Sequence, residues 1–117
     1  ARYGGDEFVV VLPDVPAVEA MAIAERLRAD IEQAVFCNAP GEIQPEPLFL
    51  SGIGCSIGVA TLSRHVPREQ SLAIAKSQLL RLADSAMYRA KESGRNRVML
   101  ADTEADLNSG LARTAAR

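Results

Sequence analysis

Two short stretches of the chain carry side chains able to do chemistry together. Gly4-Gly5-Asp6-Glu7 sets adjacent carboxylates directly after a diglycine and directly before an apolar run. Tandem glycines admit positive φ at both central positions of a tight type I′ hairpin turn, so the acids are expected at a fixed sheet edge. If the strand begins at once, Asp6 and Glu7 project to opposite faces, which suits one carboxylate for a metal and does not suit a paired acid–base dyad. The second stretch holds Arg89, Lys91, Arg95 and Arg97, offset only by Glu92, for a local charge of +4 − 1 = +3. Lys91 falls in the last turn of an expected helix, where the helix dipole favours a cation, and Arg95 follows Gly94 as a planar fork free to reach an anion. Carboxylates that hold divalent cations and bases that hold phosphate oxygens are what phosphoryl or nucleotidyl transfer requires. Oxygen donors point to magnesium as the ion. Taken singly, each stretch has a plainer reading: a solvated hairpin tip for the first, helix capping for the second.

Other chemistries find little support. The single histidine is His65 and the two cysteines, Cys37 and Cys55, form no CxxC, so a thiolate–imidazole zinc cage and a structural disulfide are not expected. Nucleophilic catalysis through a histidine would depend on that one residue, in a polar stretch beside Pro67. At 117 residues, 48% hydrophobic and 24% charged, the chain has the make-up of one soluble globular domain. It carries neither a signal-peptide pattern nor an apolar run long enough for a bilayer span, which reads as cytoplasmic, or as the cytoplasmic part of a membrane-bound sensor. A net charge of −2 argues against broad electrostatic binding of nucleic acid or of an anionic membrane.

The elements that must position these residues follow from periodicity. Phe8 to Leu12 is a continuous, valine-rich apolar run closed by Pro13, the pattern of a short strand buried on both faces. A hairpin needs a strand before it, and only Ala1, Arg2 and Tyr3 precede the glycines, with no initiator methionine, so the chain is expected to begin inside a domain. Asp14 as N-cap and Pro16 in the first turn open a long amphipathic helix through Ala20, Ala24, Leu27, Ile31 and Val35, with Glu25, Arg28 and Glu32 between them. Cys37 to Pro47 reads as a loop, with a short hairpin arm expected around Glu42 to Leu48. Gly52 to Thr61 alternates between a bulky face (Ile53, Cys55, Ile57, Val59) and a nearly bare one (Gly52, Gly54, Ser56, Gly58), and the bare face lets a helix or a ligand approach the sheet closely, with helix packing the plainer reading. Leu79, Leu80, Ala83, Ala86, Met87 and Ala90 predict a second helix ending before Gly94, and Arg97 to Leu100 a final edge strand. Residues 101–117 read as a tail or a linker helix. This order implies an α/β layered sandwich of the α+β kind, with strand adjacency left open.

The residues also carry a family resemblance. Arg2-Tyr3-Gly4-Gly5-Asp6-Glu7-Phe8, Ser56-Ile57-Gly58-Val59-Ala60, Ala83-Asp84-Ser85-Ala86-Met87-Tyr88-Arg89-Ala90-Lys91 and Gly94-Arg95-Asn96 together resemble the GGDEF family of diguanylate cyclases, across about residues 1 to 100. The resemblance implies the C-terminal part of a domain with a nucleotidyl-cyclase, palm-like fold, which condenses two GTP molecules into cyclic di-GMP and pyrophosphate. It implies that Gly4 and Gly5 border the bound GTP, that Asp6 is the metal-ligating catalytic acid, and that Glu7 completes the catalytic signature. It further implies that Lys91 and Arg95 hold the triphosphate, while Asp84 and Asn96 serve the scaffold. Magnesium, or manganese, is the implied cofactor, and an antiparallel homodimer with a sensory domain upstream is the implied assembly. A second metal-binding aspartate and guanine-recognising Asn and Asp residues are implied before Ala1, where the family's inhibitory product site would also fall. A non-catalytic member that binds GTP or a protein partner is the rival reading, against which the intact signature and the Lys91 and Arg95 pair count.

Overall fold

A computed structural model describes residues 1–40 and 46–115. In chain order the elements are β1 (Arg2–Gly4), β2 (Glu7–Phe8), α1 (Ala17–Gln33), β3 (Ile57–Val59), α2 (Leu62–His65), α3 (Leu72–Glu92), β4 (Val98–Leu100) and α4 (Glu104–Ala115). The mixed layers are those of an α+β fold. β3 and β4 run parallel, with Ile57 opposite Val98 and Val59 opposite Leu100, and α3 lies in the crossover that a parallel pair requires. β1 and β2 form a separate antiparallel ribbon.

The core is built from small residues. Ala20 and Ala24 of α1, Ala75, Ala86 and Ala90 of α3, and Ala101 after β4 are buried, with Val66 and Thr61 beside them. Small side chains let helices lie directly on the strands, and Gly58 carries this furthest: a Cβ there would run into the Ala83 carbonyl oxygen and the Met87 amide nitrogen of α3. The bare face predicted for this segment is thus the face on which α3 packs. Ser71 caps that helix, its Oγ accepting from the Ile74 N–H at 3.4 Å, and Gly94 (φ +112) follows its end as expected.

Four expectations need correction. The run from Phe8 to Leu12 is not a buried strand: only Glu7–Phe8 joins a ladder, and Phe8 and Val11 are 69% and 78% exposed. A strand buried on both faces needs a layer on each side, and among the described residues the only sheet partner of β2 is β1. The long alternating segment forms ladder only over Ile57–Val59, because β4 offers just three residues to pair with. α1 is capped by the backbone of Pro16 rather than by the Asp14 side chain, and it ends at Gln33, leaving Val35 outside. Asp14 takes φ 56 in the turn after Pro13, a left-handed conformation that aspartate tolerates and an N-cap does not use. The arm expected around Glu42 falls partly on residues 41–45, outside the described ones; at its base Phe36 and Leu50 exchange antiparallel backbone hydrogen bonds of 2.7 and 2.9 Å. Among the described residues no helix is long and apolar enough to cross a membrane.

Candidate functional site

The acidic turn lies one residue further along than the diglycine suggests. Gly4 pairs with Glu7, so the two loop residues are Gly5 and Asp6, and of the glycine pair only Gly5 has positive φ (+22). The expected type I′ turn centred on both glycines is therefore shifted by one residue. An extra residue between Arg2 and Gly4 bulges β1, a device that bends a ribbon and re-aims its side chains. Asp6 stands exposed at the tip, and among the described residues its carboxylate has no partner. Glu7, one residue on, is half-buried and begins β2.

The end of α3 meets this turn. Glu7 Oε1 lies 3.6 Å from Lys91 Nζ, with each side chain 42% exposed, an ion pair worth at most about 1 kcal/mol and open to displacement. Just beyond, the Arg95 N–H donates to the Ala90 carbonyl at 2.9 Å, the long-range bond of a Schellman cap. Arg95 (φ 62) and Asn96 (φ 44) then continue the left-handed conformation begun at Gly94. For residues with a Cβ this costs roughly 1–2 kcal/mol each, with asparagine the more tolerant. The Arg95 side chain is exposed and without a partner among the described residues.

The four late cations divide between scaffold and site. Arg89 is bound to the scaffold, donating to Asp102 at 3.1 Å and to the Leu100 carbonyl at 2.7 Å, which ties α3 to the end of β4. Arg97 folds back, its Nε donating to the Arg95 carbonyl at 3.1 Å. Lys91 and Arg95 remain presented at the end of α3. Asp84 is exposed on α3, while Asn96 is bonded into a network.

That network escaped the sequence reading. Arg28 of α1 donates to Glu25 (2.7 Å), to Glu32 (2.8 Å) and to Asn96 Oδ1 (3.0 Å), and Asn96 Nδ2 donates to Glu32 Oε1 (2.7 Å). Gly54 lies beneath it: a Cβ there would come within 3.0 Å of the Asn96 side chain. The i, i+3 and i, i+4 spacing of Glu25, Arg28 and Glu32 is visible in the sequence, but the link to a residue 68 positions away is not. Hydrogen bonds from Arg28 hold the Glu25 and Glu32 carboxyls below their ordinary pKa of 4.5, with Asn96 adding to the effect on Glu32. A depressed folded-state pKa contributes stability that is present above the unfolded value and lost as pH falls through the folded one. The melting temperature should therefore drop on acidification below about pH 4.5, and more steeply in the native protein than in Arg28→Met; equal slopes in thermal melts across that range would refute this linkage.

His65 is bound into the scaffold. Its Nε2 lies 3.0 Å from the Ala101 carbonyl, which can only accept, so Nδ1 is left to accept the Thr61 N–H at 3.0 Å. Both ring nitrogens are thereby used. Burial pushes the Cys55 thiol up, away from the reactive thiolate. Two clefts lie apart from the turn. One of about 290 Å³ runs between Arg64–Pro67 and Thr103–Ala105, and one of about 220 Å³ is lined by Ile23, Arg26, Leu27 and Asp30. Among the described residues no three His, Cys, Asp or Glu side chains converge as a ready metal cage. The exposed carboxylate of Asp6 nevertheless fits magnesium by type, since that ion is commonly held by one or two carboxylates, with phosphate oxygens and water completing its shell.

The α+β framework thus brings an acidic hairpin to the cationic end of a helix. The chain belongs to the GGDEF family: the family described as "Diguanylate cyclase, GGDEF domain" matches residues 1–97. It is 37% identical over 102 residues to a protein named as a probable diguanylate cyclase, DgcT, of Escherichia coli K12, covering 87% of this chain and 20% of that protein. It is 39% identical over 99 residues to the diguanylate cyclase DosC of the same strain, covering 85% of this chain and 18% of the relative. It is 36% identical over 98 residues to the response regulator PleD of Caulobacter vibrioides (strain NA1000 / CB15N), covering 84% of this chain and 19% of that protein. The chain thus spans about a fifth of the length of these relatives. No solved structure matches it.

Proposed function

We propose that the protein to which this chain belongs is a diguanylate cyclase, joining two GTP molecules into cyclic di-GMP with release of pyrophosphate. The observation that carries this reading is the 3.6 Å approach of Glu7 to Lys91, which sets the acidic hairpin against the helix end followed by Arg95, exposed and without a partner among the described residues. In this reading Lys91 and Arg95 hold the triphosphate, Lys91 as a point charge and Arg95 as a bidentate fork. The position where a Cβ would stand on Gly4 or Gly5 has nothing within 4 Å, so their bare backbone leaves room for a nucleotide to lie against the turn. Asp6 would hold magnesium, which when bound neutralises phosphate charge and lowers the pKa of the attacking 3′-hydroxyl. Glu7 keeps Lys91 aligned until the triphosphate displaces it. The 3′-oxygen of one GTP then forms a bond to the α-phosphorus of the other as the bond to pyrophosphate breaks, once in each direction to close the ring.

A two-fold symmetric product asks for two sites face to face, hence an antiparallel homodimer. Orienting the two reactants in this way can supply about 7–11 kcal/mol of barrier lowering. The apolar side chains left uncovered at Phe8, Val10 and Val11 fit a domain whose remaining layer lies outside these residues. The test is to incubate the full-length protein with GTP and Mg2+ and follow cyclic di-GMP and pyrophosphate. Both products should appear in a one-to-two ratio. GTP binding without turnover would reject the cyclase in favour of a non-catalytic, nucleotide-binding regulator.

A further inference from the structure

The loop that carries Arg95 is held in an unfavourable conformation, and part of what holds it comes from α1, distant in sequence. Three consecutive residues, Gly94, Arg95 and Asn96, have positive φ (+112, 62 and 44), and only the first lacks a Cβ. The Schellman bond to Ala90 fixes the start of this stretch. Its far end is fixed through Asn96, whose amide oxygen accepts from Arg28 at 3.0 Å and whose amide nitrogen donates to Glu32 at 2.7 Å. Arg28 and Glu32 also bridge each other at 2.8 Å, which closes a three-membered ring of bonds. Only 15% of the Arg28 side chain is exposed, so the ring is sheltered at Arg28, while Glu32 stays 44% exposed.

We propose that Arg28, acting with Glu32 through Asn96, is a positioning residue for triphosphate binding: it keeps Arg95 in the left-handed conformation that presents its exposed side chain just beyond the helix end carrying Lys91. The inference rests on the reading of Lys91 and Arg95 as the triphosphate grip, and it adds residues of α1 that touch no substrate themselves. Without the ring the loop relaxes toward ordinary backbone conformations. Apparent affinity then falls by the fraction of molecules that keep the competent loop. A residue that merely stabilised the fold would instead lower the amount of active enzyme, reducing apparent kcat at unchanged KM.

The experiment measures steady-state cyclic di-GMP formation against GTP concentration, at saturating Mg2+, for the full-length protein and the variants Arg28→Met, Arg28→Lys, Asn96→Ala and Arg95→Ala. Arg28→Met should raise KM for GTP about tenfold with kcat within about threefold of native. Arg28→Lys should recover only part, since Nη1 serves Glu32 and Asn96 while Nε and Nη2 stay on Glu25, a division that one ammonium on a shorter reach does not reproduce. The double variant Arg28→Met with Asn96→Ala should be no worse than Asn96→Ala alone, because the alanine already removes every bond by which α1 reaches the loop. A lowered kcat and melting temperature at native KM for Arg28→Met would overturn the proposal while leaving the triphosphate reading intact, provided Arg95→Ala raises KM. An Arg95→Ala variant with native KM would overturn both.

Discussion

Replacing Asp6 by asparagine should lower GTP turnover by about a thousandfold while leaving the fold unchanged. The substitution keeps the size and planar shape of the side chain and removes only its charge, at a tip where the carboxylate has no partner among the described residues. Nothing in the packing therefore depends on that charge, and exposed positions of this kind usually change stability by no more than about 0.5 kcal/mol. Asparagine is also at ease in tight turns, so the Gly5-Asp6 loop should keep its geometry. What the charge does in the proposed reaction is hold a divalent cation against the phosphates. That term is worth several kcal/mol at the transition state, and about 4 kcal/mol corresponds to three powers of ten in rate. Glu7→Gln makes a useful contrast. It removes an ion pair with Lys91 that is half-exposed, so its effect on stability should be near zero. The comparison requires turnover at saturating GTP and Mg2+ for both variants, with thermal melts as the folding control. An Asp6→Asn enzyme within threefold of native would remove Asp6 from the metal site.

The parts of this arrangement that were legible in the sequence are those whose causes are local. Asp6 and Glu7 follow a glycine that permits a two-residue loop, and Lys91, Gly94 and Arg95 announce a helix end, because turn and cap preferences act over a few residues. The bare face at Gly58 was also readable, since a period of two over several residues leaves few alternatives to close packing. What escaped depends on distant partners. The ladder at Ile57–Val59 is short because β4 is short, and the exposure of Phe8 and Val11 depends on which layers surround them. In the sequence Arg28 stands only as one of the charged residues between the apolar positions of α1. Its bond to Asn96 exists only because the packing of α3 on β3 brings the loop after α3 over the end of α1. The local misreading at Asp14 has a similar origin: a polar residue before a helix can cap it or turn ahead of it, and Pro13 in front of Asp14 with Pro16 behind favoured the turn.

Gly58→Val should be the most damaging single change to the fold. Its backbone lies so close to α3 that even a Cβ would overlap the Ala83 carbonyl and the Met87 amide, and both obstacles are backbone, which cannot rotate away as a side chain can. Relief would require α3 to lift from β3. Ala86 and Ala90 show no exposure, so lifting the helix would uncover both and open space beneath them. Overpacking of ordinary cores costs about 1–3 kcal/mol, and obstruction by backbone belongs at or above the top of that range. Against a total stability of about 5–15 kcal/mol, that is enough to leave a large unfolded fraction or an insoluble product. The same displacement would shift the end of α3 and so part Lys91 from Glu7, coupling the loss of stability to a loss of GTP turnover. Gly4→Ala provides the control: a Cβ there meets nothing within 4 Å and the backbone needs no positive φ, so it should melt close to the native protein. If circular dichroism shows Gly58→Val melting within a few degrees of Gly4→Ala, then α3 does not sit on β3 as closely as described, and the scaffold that presents Lys91 and Arg95 to the acidic turn would have to be rebuilt.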